Sequence, residues 1–252
     1  LGLNFFNISF LYSVLTESHL SLDILIPVYE PHDGWAEELI VQYRILLSRL
    51  PENIEPKLIV VNDGSKKQLE SDGEYIKSLL PDTQWISYSE NRGKGHALRT
   101  AASHANADYI MYTDYDFPYT YGSMVNMLNT LMKEGTEAVV GHRDESYYSH
   151  ISPRRKTISQ ILKIVNKLIF RLPTNDTQCG LKAFRITQRE LLLKTSTDRY
   201  LIDVEFLKKL SRSKAHVAVV PVKLREGVVL SKISNLSLVK EMFNYLRILV
   251  FG

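Results

Sequence analysis

The amino-acid sequence predicts an α/β protein with a mostly parallel sheet flanked by helices. Three observations carry that expectation. Short apolar runs alternate with amphipathic stretches as far as about residue 145, the rhythm of βαβ units. The runs are near-continuous in apolar residues, as strands covered on both faces are. Carboxylates stand just past the ends of several runs, where open sheets of this class bind ligands.

The elements follow in order. Leu22–Tyr29 reads as a first strand ending in a proline turn, and a helix follows with Leu39, Ile40, Tyr43, Leu46, Leu47 and Leu50 on one face. Lys57–Val61 is a second strand, closed by Asn62-Asp63-Gly64-Ser65. Lys66–Leu80 has a helical pattern, Gln84–Tyr88 a strand pattern, and Gly93–Ala105 is an alanine-rich helix. Tyr109–Thr113, Tyr121–Lys133 and Ala138–Gly141 continue as strand, helix and strand. Beyond them the pattern turns helix-rich, with basic amphipathic helices and a last strand near His216–Leu224. No repeat or low-complexity tract interrupts the chain. It divides into an N-terminal extension (1–21), one compact domain (22–234) and a C-terminal amphipathic helix (235–252).

Composition narrows the class. Of 252 residues, 44% are hydrophobic and 23% charged, which excludes a disordered, collagenous or coiled-coil chain. Lys+Arg 31 against Asp+Glu 28 leaves +3, a balance that demands no nucleic-acid partner. The single cysteine, Cys179, cannot form an internal disulfide and reads as a small buried residue. Polar residues break the apolar N-terminal stretch Leu1–Leu22, and Leu236–Phe251 grows apolar toward its end. Neither offers a run long enough for roughly 30 Å of hydrocarbon.

The strongest chemical feature is Thr113-Asp114-Tyr115-Asp116-Phe117-Pro118. On a strand, residues two apart point the same way, so Asp114 and Asp116 offer two hard oxygen ligands for Mg²⁺ or Mn²⁺. Alone, D-x-D is a weak motif that more often marks a solvated turn. Asn62-Asp63-Gly64-Ser65 is good turn chemistry, yet its carboxylate could also accept from a nucleobase or ribose. Glu90-Asn91-Arg92-Gly93-Lys94-Gly95-His96-Ala97 opens a helix with glycines and cations, which suits an anionic ligand but lacks the P-loop and G-x-G-x-x-G spacings.

Together these motifs resemble a known family. Ile26-Pro27-Val28-Tyr29, then VVNDGS, ENRGKGHALRTA, TDYDFPY and Val140-Gly141-His142-Arg143 look like the family 2 inverting glycosyltransferases of the GT-A fold. Asp176-Thr177-Gln178-Cys179-Gly180-Leu181-Lys182-Ala183-Phe184-Arg185 is similar to a segment of the polyprenyl-phosphate (dolichyl-phosphate) mannosyl- and glucosyltransferases. The resemblance runs from about Leu22 to about Ser234 and implies a nucleotide-diphosphate sugar donor, GDP-mannose or UDP-glucose, with a polyprenyl phosphate acceptor. It implies that Pro27, Tyr29, Asn62, Asp63 and Lys94 contribute to the donor site. Asp114 and Asp116 would bind metal and diphosphate, Tyr115 the ribose side, and Arg143 the phosphates. Arg225, Ser231 and Lys232 look like the family's late R…SK element over the diphosphate. The sequence departs from the pattern at Glu30-Pro31 after Tyr29, at Asn62 where an acidic residue is usual, and between Arg225 and Lys232.

The acceptor decides which catalytic groups are needed. A phosphate monoester carries a nucleophilic oxyanion near neutral pH and needs no base. The tasks left are then to hold two anions together and to neutralise the departing diphosphate. A hydroxyl acceptor, as in capsule, lipopolysaccharide or surface-glycan synthesis, would require a carboxylate base. Asp176, Asp203 and Glu205 are the candidates, though Asp203 and Glu205 also suit a helix N-terminus. A non-catalytic nucleotide-sugar-binding relative is the alternative of another class.

Arg154-Arg155-Lys156 precedes apolar positions from Ile158 to Leu172 with Lys163, Lys167 and Arg171 interspersed. This composition suits a helix on an anionic lipid surface or a core helix with a solvated basic face. Arg154 or Arg155 could grip a lipid phosphate. The expected location is the cytoplasmic face of a membrane, as a peripheral protein or as the soluble domain of a membrane-attached one.

Overall fold

Strand β1 (Leu20–Val28) lies inside the sheet because both of its faces are apolar. Leu22, Ile24, Ile26 and Val28 feed one buried layer and Leu25 the other. The computed structural model describes residues 19–67, 69–143, 174, 176, 177 and 179–228. Within these, β1 is followed by α1 (Trp35–Leu47), β2 (Ile54–Asp63), α2 (Glu70–Leu79), β3 (Gln84–Tyr88), α3 (Lys94–His104), β4 (Tyr109–Tyr112), α4 (Tyr121–Met132) and β5 (Ala138–Arg143). Then come β6 (Lys182–Arg185), a 3₁₀ turn (Ile186–Gln188), α5 (Arg189–Leu193), α6 (Ile202–Arg212) and β7 (Val217–Val222).

The seven strands are ordered β3-β2-β1-β4-β6-β5-β7. All neighbours pair in parallel except β6, which runs against both β4 and β5. Helices α1, α2 and α4 cover one face and α3, α5 and α6 the other, giving two apolar layers. The alanines of α3, Ala97, Ala101 and Ala102, let that helix lie close against β1 and β2.

Pro27 sits within an interior strand without breaking it. The Leu25 carbonyl accepts from Thr113 N–H on the β4 side, and residue 27 shares that side. The ladder to β4 reaches only as far as Leu25 and Tyr112, so the N–H that proline lacks has no strand partner to lose.

The strands and helices read from the sequence are all present among the described residues up to β5, with small shifts at their ends. Two differences matter. Strand β4 stops at Tyr112, so the D-x-D residues lie in the turn beyond it, and the turn rather than a pleat aims them. Strand β6 went unread, because four residues buried on both faces carry no period. The readings for 1–18, 144–173 and 229–252, including the amphipathic helices, lie outside the described residues.

Candidate active site

The carboxyl ends of β1, β2 and β4 lie along one edge of the sheet, the edge where open α/β sheets bind ligands in a crevice. Antiparallel β6 contributes its first residue there, since Lys182 stands opposite Tyr112. The D-x-D turn follows β4 directly. Phe117 N–H donates to the Asp114 carbonyl at 3.0 Å, and Phe117 adopts a positive φ of 45°, a strained conformation for a bulky residue. Its fully buried ring and Arg225 hold that strain in place. The Arg225 guanidinium donates to the backbone carbonyls of Asp116 and Phe117, both at 2.6 Å, and lies 3.6 Å from Glu38. In the structure Arg225 therefore braces the turn itself.

Asp114 and Asp116 differ in environment. Lys94 Nζ donates to Asp114 Oδ1 at 2.5 Å. Burial alone would lower the Lys94 pKa, but the charges of Asp114 and Asp203 outweigh it and hold the ammonium above its ordinary range. No other side chain among the described residues donates a hydrogen bond to the Asp116 carboxylate. Burial, and then the Asp114 charge beside it, pushes its pKa up to about 6. Two close carboxylates, one of them raised by burial and repulsion, form a donor set that suits a hard divalent cation.

Tyr115, between the two acids, turns toward the β1–α1 side. Its ring centroid is 5.9 Å from both His32 and Trp35. Tyr29, past the end of β1, is 44% exposed and so open to a ligand. Pro27 is half-buried.

The Asn62-Asp63-Gly64-Ser65 turn is tightly built. Asn62 Oδ1 accepts from Ser65 N–H at 3.1 Å and its amide donates to Ser87. The Asp63 carboxylate accepts from the Tyr88 hydroxyl (2.7 Å), the Asn91 amide (2.8 Å), and the backbone N–H groups of Arg92 (2.9 Å) and Gly93 (2.8 Å). These four donors fill the roughly four lone-pair sites of a carboxylate. Asp63 thus fixes the 91–93 loop. Gly64, at φ 63°, approaches that loop so closely that a Cβ would lie 2.2 Å from the Glu90 carbonyl carbon.

The glycines around Lys94 serve packing rather than an anion cradle, which corrects the sequence reading of this loop. The Asp198 carbonyl accepts from Gly95 N–H (2.7 Å) and His96 N–H (3.3 Å), occupying the N-terminus of α3. Cβ atoms on Gly93 and Gly95 would fall 2.4 Å and 2.2 Å from the carbonyl oxygens of Asp198 and Thr197. Glu205 in turn fastens the 196–197 segment, accepting from both backbone N–H groups at 2.9–3.0 Å and from the Thr197 hydroxyl at 2.7 Å.

The remaining base candidates are also engaged. The Asp176 carboxylate accepts from Arg143 through Nε (2.8 Å), Nη2 (2.5 Å) and the backbone N–H (2.9 Å). Burial alone would raise its pKa, but the Arg143 hydrogen bonds and charge outweigh it and hold the carboxyl below the usual range. Asp203 Oδ1 accepts from Lys182 Nζ at 2.5 Å and from the Tyr112 hydroxyl at 2.6 Å. Cys179 is fully buried, as expected. Arg154, Arg155, Ser231 and Lys232 lie outside the described residues.

The sequence and the fold have matches among known proteins. A model of glycosyl transferase family 2 matches residues 24–195, more than half of the sequence. The chain belongs to glycosyl transferase family 2. A dolichyl-phosphate beta-glucosyltransferase of Trichomonas vaginalis is 29% identical over 212 residues, covering 79% of this chain and 63% of that protein. The chain thus spans somewhat less than two thirds of that relative's length. One from Saccharomyces cerevisiae is 23% identical, covering 83% of this chain and 68% of its own length.

Solved structures of low identity share the GT-A fold. Mannosyl-3-phosphoglycerate synthase from Rubrobacter xylanophilus superposes with a TM-score of 0.67 at 17% identity, covering 91% of this chain and 73% of that one. Glucosyl-3-phosphoglycerate synthase from Mycobacterium tuberculosis, solved with Mn²⁺, UDP-glucose and phosphoglyceric acid, gives 0.63 at 16% identity, covering 93% and 80%. Within this family 2 frame, no helix among the described residues is long and apolar enough to cross a membrane. Sequence reasoning missed Lys182 and Tyr112, which meet at Asp203, 21 and 91 residues away along the chain, a spacing that leaves no local pattern.

Proposed function

We propose that this family 2 protein transfers a hexose, glucose in preference to mannose, from a nucleotide-diphosphate sugar to a dolichyl or other polyprenyl phosphate at a membrane surface. The names of the relatives support the sugar and the acceptor. One structural observation carries the choice of acceptor: the three carboxylates that the sequence offers as a base, Asp176, Asp203 and Glu205, are each committed to cations or backbone donors. A hydroxyl acceptor would need a free carboxylate base, and Asp116, the site carboxylate without a side-chain donor among the described residues, is assigned to the metal in this reading. A phosphate oxyanion needs none.

The residues then divide the work. Tyr29 and the turn fixed by Asn62 and Asp63 border the nucleoside side of the crevice. Asp114 and Asp116 would hold Mg²⁺ or Mn²⁺. When bound there, the ion would neutralise charge on the leaving nucleoside diphosphate. Arg225 keeps the D-x-D turn in its strained shape, and Lys94 holds Asp114 at one oxygen. The Arg143–Asp176 pair keeps a guanidinium at the end of β5, on the crevice side of the sheet. The acceptor oxyanion attacks the anomeric carbon from the face opposite the leaving group, which inverts its configuration. Arg154, Arg155 and Lys232 complete the proposal as cations for the acceptor phosphate and the donor diphosphate.

The experiment is a transfer assay with radiolabelled UDP-glucose or GDP-mannose, Mn²⁺ or Mg²⁺, and dolichyl phosphate in detergent. Label moving from UDP-glucose into the organic phase, abolished by EDTA and restored by the metal, is the expected result. Undiminished transfer in EDTA would remove the metal role. Transfer to a free saccharide but not to the lipid phosphate would overturn the acceptor.

A further inference from the structure

A second ion pair lies behind the first. Lys182 and Asp203 are buried, with side chains 1% and 6% exposed, and their Nζ–Oδ1 distance is 2.5 Å. Asp203 also accepts from Tyr112, the last residue before the D-x-D turn begins, and its charge reaches Lys94. Lys182 spends a second hydrogen on the Cys179 carbonyl at 2.6 Å. The peptide thus gripped leads into Gly180, whose N–H donates to the Tyr119 hydroxyl at 2.9 Å. Gly180 faces the site: a Cβ there would sit 3.0 Å from Asp114 Oδ2 and 3.6 Å from Lys94 Nζ.

We propose that Lys182 and Asp203 are positioning residues, which hold the Cys179–Gly180 peptide against the Asp114 carboxylate and so set the oxygen that Asp114 leaves open beside its bond to Lys94. Neither reaches the crevice itself. A pair kept only for stability could be replaced by apolar groups of similar volume at little cost, since buried ion pairs contribute little net stability. This pair has a further consequence because its cation also binds the carbonyl of the loop over Asp114. Supporting partners of this kind typically change metal affinity by roughly tenfold to a hundredfold.

The inference rests on the proposed metal role, so its test carries one readout that needs no metal. The full chain is compared with Lys182→Met/Asp203→Leu, which removes both charges together, and with Gly180→Ala, which pushes on Asp114 from the loop. Mn²⁺ binding is followed by electron paramagnetic resonance, and backbone protection at 179–181 by hydrogen exchange.

The expected result is at least a tenfold weaker Mn²⁺ affinity in both variants. The double variant should also lose protection of the Gly180 N–H while β1 and α3 keep theirs. A folded double variant with parental Mn²⁺ affinity and parental Gly180 protection overturns the inference. Gly180→Ala with unchanged affinity does so too, should the double variant not fold. If the parent chain binds no Mn²⁺, the metal reading fails on its own, and the exchange comparison still decides the positioning role.

Discussion

Asp116 and Asp114 are chemically identical side chains two residues apart, and the structure makes them unequal. Asp114 is tied to Lys94 and overhung by Gly180, while Asp116 takes no hydrogen bond from another side chain among the described residues and is pushed toward its neutral form. Replacing Asp116 by Asn removes an oxygen ligand with almost no change of shape. Transfer should fall by about 100-fold or more, while the thermal midpoint stays near that of the parent. Loss of fold together with activity would count against a site role. Arg225→Lys keeps the charge but cannot reproduce the two-carbonyl fork over the strained turn. Losing one such hydrogen bond, about 1–1.5 kcal/mol, should lower kcat/KM roughly tenfold in a steady-state assay. Much of the residue-level site was legible, because D-x-D past an apolar run is a local signal. The partners were not. Arg225 lies far along the chain from the carbonyls it braces, and Lys182 is bonded to a carboxylate on a different element, so no spacing in the sequence announces either.

Among the elements, α3 shows how packing rather than ligand binding fixes two glycines. A methyl at Gly95 would meet the Thr197 carbonyl oxygen at 2.2 Å and the Asp198 carbonyl carbon at 2.8 Å, and both are backbone atoms that cannot swing aside as a side chain would. Gly95→Ala should cost about 1–3 kcal/mol in denaturant unfolding. Gly122→Ala, in α4 where nothing lies within 4 Å, should be neutral or slightly stabilising in the same measurement. The contrast separates intrinsic helix propensity, which favours alanine at both positions, from tertiary fit, which forbids it at one. The glycine-and-cation signature before α3 was plain in the sequence, yet its usual meaning did not apply. The Asp198 carbonyl that caps the helix comes from a loop about 100 residues later, which only the fold brings near. The parallel strands were legible for the opposite reason: their apolar runs are local and long enough to recognise. Strand β6 has four residues and two buried faces, so nothing in it alternates.

Acid should find the weak point of the molecule as a whole. Asp176 and Glu205 both titrate below their ordinary ranges: burial opposes this, but Arg143 outweighs it for Asp176, as the Ser196–Thr197 donors do for Glu205. Their folded values are depressed. Their contribution to stability is therefore complete above the unfolded-state values, near pH 4, and is lost as pH falls through the folded ones. Asp116, raised to about 6, works the opposite way, so unfolding free energy measured by denaturant should first rise as pH falls through about 6 and then drop below about pH 4 as Asp176 and Glu205 protonate. Asp176→Asn should weaken the protein at neutral pH, by about 3 kcal/mol, and flatten its acid limb.

The reversal of β6 also divides the fold by its tolerance of change. Because that strand starts beside Tyr112 and finishes beside Tyr109, its exit and the 3₁₀ turn after it sit at the rim opposite the chemistry. Lengthening the chain at Ile186–Gln188 should be borne with little penalty to turnover, whereas adding a residue between Asp176 and Lys182 would shift the peptide that roofs Asp114.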